Sequence, residues 1–180
     1  MDFHQWPKAE LHLHLDGSVR PRTVLELALK DGVPLPSSDL QLLRASLVAP
    51  DDCPSLVAYI RYFELPIAVM QTADALERVT RELCQDLARD GVRYAEIRYA
   101  PWLHVERGLS PSDVIAATLA GWRAGRQAHG LEGGILVRRK CGHGLQVVAP
   151  GDSKNKKRTW SISNFGLNRG TPSRAAPCFA

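Results

Sequence analysis

Apolar and polar residues alternate one for one from Glu10 to Asp16. Leu11, Leu13 and Leu15 interleave with Glu10, His12, His14 and Asp16. Side chains of a strand point to opposite faces with period two. The pattern therefore predicts a strand with an aliphatic face and a face bearing two imidazoles and two carboxylates. Pro7 precedes it and Gly17-Ser18 ends it. At Pro21 the period changes to helical, with Val24, Leu25, Leu27 and Ala28 apolar and Gly32 as the stop. Residues 33–54, rich in Pro, Ser and Asp, read as a long connection. Ser55 to about Met70 reads as an apolar helical segment interrupted by Pro66.

Thr72 is a good cap for a helix whose stripe runs Leu76, Val79, Leu83 and Leu87 and which Gly91 stops. Val92 to Ala100 reads as a second strand closed by Pro101. Ser110-Pro111-Ser112-Asp113 combines a cap, a first-turn proline and a carboxylate three residues on, before Val114, Ile115, Leu119 and Trp122. Ile135-Leu136-Val137 opens a third strand. Strands alternating with helices imply a parallel sheet in an α/β layer architecture. From Arg138 onward neither period continues, and the stretch reads as poorly ordered.

Charge divides the chain at the same place. Residues 138–180 hold nine basic residues and one acidic residue, Asp152, giving +8. The other 137 residues hold 14 basic and 18 acidic, giving −4, so the overall +4 hides a split. The division expected is 1–137 and 138–180, the second part being a basic stretch with the character of a shifted reading frame. Its run Lys154, Lys156, Lys157 and Arg158 reads as a solvated charge run. Trp160 and Phe165 could stack on bases, but no nucleic-acid-binding motif accompanies the charge, and a nucleic-acid partner is not expected.

The composition, 44% hydrophobic and 23% charged over 180 residues, is that of a globular domain. No apolar run approaches the ~20 residues of a membrane span, and Met1 to Trp6 lacks the charged and apolar regions of a secretory signal. Cys53, Cys84, Cys141 and Cys178 lie far apart with no C-x-x-C pair, which excludes a disulfide scaffold or a zinc ribbon and favours a cytoplasmic location. They read as core or loop residues. His4, His104 and His129 lack metal-like neighbours and read as surface or packing residues.

The chemistry concentrates in the first strand. On spacing alone a His-x-His pair is more often structural or exposed than metal-binding. Here both imidazoles leave one strand face, and each can offer a ring nitrogen to one cation at ~2.0–2.1 Å, as zinc prefers. Asp16 follows on that face near the carboxyl end of the strand, where active sites of α/β barrels lie.

Pro7-Lys8-Ala9-Glu10-Leu11-His12-Leu13-His14-Leu15-Asp16-Gly17-Ser18 resembles the N-terminal metal motif of the adenosine deaminase family within the amidohydrolase superfamily. Asp90-Gly91-Val92-Arg93-Tyr94-Ala95-Glu96-Ile97-Arg98-Tyr99-Ala100-Pro101 resembles the family's second-strand signature, and Gly108-Leu109-Ser110 continues the likeness, which covers roughly residues 3–137. The resemblance implies the opening three units of a (β/α)₈ barrel and one Zn²⁺ per chain ligated by His12 and His14. It places His14 and Asp16 beside a purine nucleoside or base, Asp16 at a ribose hydroxyl. The implied reaction is hydrolytic deamination of adenosine or a related 6-aminopurine, adenosine giving inosine and ammonia. The paired H-x-E and P-C-x-x-C motifs of the unrelated cytidine and tRNA deaminases are not present together: His104-Val105-Glu106 has the first spacing, but no P-C-x-x-C occurs.

The family also needs a third metal histidine, a glutamate proton donor in His-Ala-Gly-Glu, a further histidine and a paired Asp-Asp. None of these motifs occurs intact after Val137, so no catalytic residue is assigned. Cys141-Gly142-His143-Gly144 resembles the family's Gly-His-Gly, but its surroundings do not continue the pattern and His143 is read as chance. A full barrel takes ~250 residues. The expectation is a truncated chain, inactive alone. The alternative is a non-catalytic protein, either a metal-binding remnant or a basic-tailed interaction module.

Overall fold

A computed structural model describes residues 6–138 and 145–148. A single sheet has the order β1-β2-β3-β4, from β1 (Lys8–His14), β2 (Val92–Tyr99), β3 (Glu132–Arg138) and β4 (Leu145–Val148). β1 with β2 and β2 with β3 are parallel, each pair joined by the long helical crossover that parallel neighbours need. β4 runs antiparallel to β3, pairing Ile135 with Val148 through Arg138 with Leu145. The hydrophobic pattern singles out no element there. Four residues are too few to register a period, and the partner that forms the strand is the open edge of β3. The rest of 138–180, with His143, Cys141, Cys178 and the basic run, lies outside the described residues, as does His4.

The helices begin and end on the residues that the pattern marks. α1 (Pro21–Asp31) has proline in its first turn and closes on Gly32 at φ 68°, a left-handed conformation that glycine adopts freely. In α5 (Ala73–Arg89) the Thr72 hydroxyl accepts from the Ala75 N–H, and Leu76, Val79, Leu83 and Leu87 are all buried. α6 (Pro111–His129) starts on a reciprocal capping box: the Ser110 hydroxyl accepts from the Asp113 N–H at 3.2 Å, and the Asp113 carboxylate accepts from the Ser110 N–H at 3.0 Å.

Between α1 and α5 the chain departs from the expectation. Residues 33–54 are not one connection: α2 (Leu40–Leu47) forms there, capped by Asp39, whose carboxylate accepts from the Gln41 and Leu42 N–H groups. Pro66 does not interrupt the next segment. The break is a 3₁₀ turn at Arg61–Phe63, which separates α3 (Leu56–Ile60) from α4 (Glu64–Val69). Pro66 falls within the first turn of α4, where an N–H has no intrahelical acceptor to lose.

α5 and α6 pack closely against each other. A Cβ added at Gly121 would collide with the Glu77 carbonyl oxygen, and one at Gly125 with the Cys84 side chain. This close approach lets Trp122, fully buried, fill the layer against the sheet, whose inner contributions are Ala95, Ile97, Tyr99, Ile135 and Val137. α1 is tied to α5 by charge as well as packing. The Arg20 guanidinium donates to both oxygens of Asp86 at 2.7 Å, and Thr23 donates to Glu82 at 2.5 Å.

Candidate metal and nucleoside site

The first strand carries its imidazoles at its carboxyl end, as the alternation predicts, but the strand is not regular. Between Glu10 and Leu13 β1 advances three residues while β2 advances two, from Ala95 to Ile97. Such an extra residue is a β-bulge, which bends the strand and changes the aim of its side chains. Its consequence is visible in the pairing. Glu10 lies beside Ala95 and His14 beside Arg98, positions three apart on β2 and so on opposite faces of the sheet. Glu10 therefore does not share the face of His14, as unbroken alternation would require. Its carboxylate instead accepts the His12 N–H at 2.9 Å. The leucine face is graded too: Leu15 is fully buried, Leu13 partly, and Leu11 is 57% exposed.

His12 and His14 come together as expected. Both are exposed, with ring centroids 5.5 Å apart and planes inclined by 27°. Two rings in this relation can turn nitrogens toward one shared cation. Asp16 lies just beyond the strand and is buried, with Oδ1 3.8 Å from Nδ1 of His14. No hydrogen-bond donor of the described residues reaches that oxygen. Burial raises the Asp16 pKa, opposed by the nearby His14 and by the N–H groups of Asp16 and Gly17. A carboxylate oxygen kept from water without a donor is suited to a ligand hydroxyl, which would supply the missing hydrogen bond.

The sequence reading missed a neighbouring pocket, which begins at Gly17 and is not lined by His12, His14 or Asp16. A pocket of about 270 Å³ opens beside the strand's end, lined among others by Gly17, Val19, Tyr59, Tyr62, Phe63 and Pro66. The Phe63 ring sits so close to Gly17 that a Cβ there would lie 2.9 Å from it. Nothing local in the sequence marks these aromatics: Tyr59 comes from α3, and Tyr62 and Phe63 come from the 3₁₀ turn that follows it.

His104 and His129 take no part. His104 is buried and contacts the Met70 carbonyl oxygen through Nδ1 at 3.1 Å, a packing role as expected, and His129 is half-buried at the end of α6. Cys84 is buried, its thiol pushed up to about 12 by burial, and Cys53 is half-buried. Both are free thiols, and burial disfavours the Cys84 thiolate. Among the described residues no three His, Cys, Asp or Glu side chains gather as a metal site, so the structure brings His12 and His14 together with no third such side chain. No helix of the described residues is long and apolar enough to cross a membrane.

Comparison with known proteins identifies the family and the fold. The adenosine deaminase family model matches residues 7–167. Adenosine deaminases from Vibrio vulnificus and Clostridium botulinum are 42% and 43% identical over 137 residues, covering 76% of this chain and 41% of theirs. Among solved structures, an adenine deaminase from Arthrobacter aurescens superposes with a TM-score of 0.63 at 27% identity, covering 72% of this chain and 38% of its own. A Zn-bound amidohydrolase from Burkholderia ambifaria gives 0.61 at 28% identity, covering 75% and 36%. An arabidopsis N6-mAMP deaminase gives 0.60 at 27%, covering 75% and 41%. The chain spans about two-fifths of the length of the curated relatives it matches. Its three parallel strands and their helices are the opening units of the barrel of these deaminases. The chain belongs to the adenosine deaminase family.

Proposed function

We propose that this chain carries the first-strand part of a zinc-dependent site for hydrolytic deamination of adenosine or a related 6-aminopurine, and that the 180-residue chain alone does not turn over substrate. The observation that carries the reading is the pair His12 and His14, exposed and face to face at the carboxyl end of β1. The donor set fits zinc, which takes imidazole nitrogen readily. His12 and His14 would hold the ion. When bound, it supplies Lewis-acid activation of water. Asp16 offers its unpartnered oxygen to a ribose hydroxyl, and His14 borders the same space. A purine substrate is supported by the adenosine and N6-mAMP deaminases among the relatives and neighbours.

The inactivity follows from what the described residues hold: two metal ligands and no third, and no carboxylic acid in the His-Ala-Gly-Glu setting that the family uses for proton donation. Without general acid–base groups the reaction loses several powers of ten in rate. The free thiols Cys53 and Cys84 support a cytoplasmic location. We place the division of the chain at residues 137 and 138 on the charge split, although the family match runs past it. Translating the gene in all frames downstream of codon 137 tests whether the missing motifs lie in another frame.

Spectrophotometric conversion of adenosine to inosine tests activity directly. No conversion above background is expected from the purified chain with Zn²⁺. Conversion that disappears in His14→Ala would contradict the inactivity and leave the assignment of His14 standing.

A further inference from the structure

We propose that Arg98 is a positioning residue that clamps the β1 segment bearing the two imidazoles. Arg98 grips this segment at both ends. Its Nη2 donates to the Leu11 carbonyl oxygen at 2.7 Å, and its own carbonyl oxygen accepts from the Leu15 N–H at 3.0 Å. His12 and His14 lie between these two points, and His14 is the residue opposite Arg98 in the strand register.

The need for a clamp comes from the bulge. β2 runs against β3 without a slip from Tyr94 to Tyr99, so the irregularity between Glu10 and Leu13 belongs to β1. A bulge leaves backbone groups out of the ladder, free to take other partners. Here two charged side chains serve: Arg98 for the Leu11 carbonyl, and the Glu10 carboxylate for the His12 N–H. A hydrogen bond to a charged group contributes more than one between neutral groups. The Arg98 bond spans 87 residues, so it fixes β1 to β2 rather than fixing a local turn. The bulge breaks the alternation, and the clamp decides where His12 points relative to His14.

The consequence for the rings stands on these contacts alone, and the consequence for Zn²⁺ rests on the function proposed above. The test uses the full chain in three forms: wild type, Arg98→Met, which removes every donor at similar length, and Arg98→Lys, which retains one. NMR contacts between the His12 and His14 imidazole protons read the ring pair without metal. They are expected in the wild type, lost or weakened several-fold in Arg98→Met, and kept in Arg98→Lys. Titration with Zn²⁺ is expected to show at least tenfold weaker binding in Arg98→Met and partial recovery in Arg98→Lys. An unchanged ring contact in folded Arg98→Met overturns the proposal, whatever the zinc result. A wild type that binds no Zn²⁺ overturns the metal reading, while the ring contact still decides the clamp. Far-UV circular dichroism checks the fold. If Arg98→Met loses its helices, Arg98→Gln, too short to span the gap, takes its place under the same criteria.

Discussion

The Met70 carbonyl oxygen lies 3.1 Å from Nδ1 of His104, which makes the buried imidazole the tautomer that carries its proton on Nδ1 and leaves Nε2 without a hydrogen-bond partner among the described residues. Burial pushes the His104 pKa down to about 4, and the Met70 contact opposes this only in part. The unfolded chain therefore binds a proton here at higher pH than the folded one. Stability is held above the ordinary histidine value near 6.5 and lost as pH falls from there to about 4, by up to about 3 kcal/mol. Urea midpoints measured from pH 7 to pH 4 should fall in the wild type and fall less in His104→Gln. Parallel slopes would show that another group governs the acid limb.

The α5–α6 contact yields a second prediction. Alanine is the better helix former by about 1 kcal/mol, but at Gly121 its methyl would meet the Glu77 backbone oxygen and lie 2.9 Å from the Thr80 Cβ. A backbone neighbour cannot turn aside, so the steric effect wins. Gly121→Ala should destabilise by about 1–3 kcal/mol, seen as a lower urea midpoint at unchanged slope. A midpoint equal to or above that of the wild type would mean that the helices pack less closely.

The capping box at Ser110 sets a smaller, local effect. Ser110→Ala removes the acceptor for the Asp113 N–H and should cost about 1 kcal/mol. Amide exchange should rise first at the start of α6 and leave the first turn of α5, capped separately by Thr72, unchanged. Equal acceleration in both helices would instead indicate a loss of global stability.

How much of this was legible in the sequence depends on how local the cause is. Pro21 and Gly32, Thr72, and Ser110 with Asp113 act within one turn of chain, and the helices they delimit were readable. So was the nearness of His12 and His14, since they stand two residues apart, but not their relative aim, because the bulge between Glu10 and Leu13 interrupts the alternation. α2 was readable in principle from Asp39 ahead of Leu40, Leu42 and Leu43, but the Pro- and Ser-rich surroundings outweighed that cap. Pro66 was misjudged because a proline breaks a helix interior and not a first turn, and only the 3₁₀ turn at Arg61–Phe63 decides which it occupies. The bulge that takes Glu10 out of phase with His14, and the approach of Phe63 to Gly17, depend on partners far along the chain. No local pattern encodes those.

The central claim, that His12 and His14 form the first-strand half of a zinc site, is tested most directly by calorimetric titration of the metal-free chain with Zn²⁺. Binding of one ion per chain is predicted, lost in both His12→Ala and His14→Ala. Absence of binding in the folded wild type, or binding that survives either substitution, would contradict it.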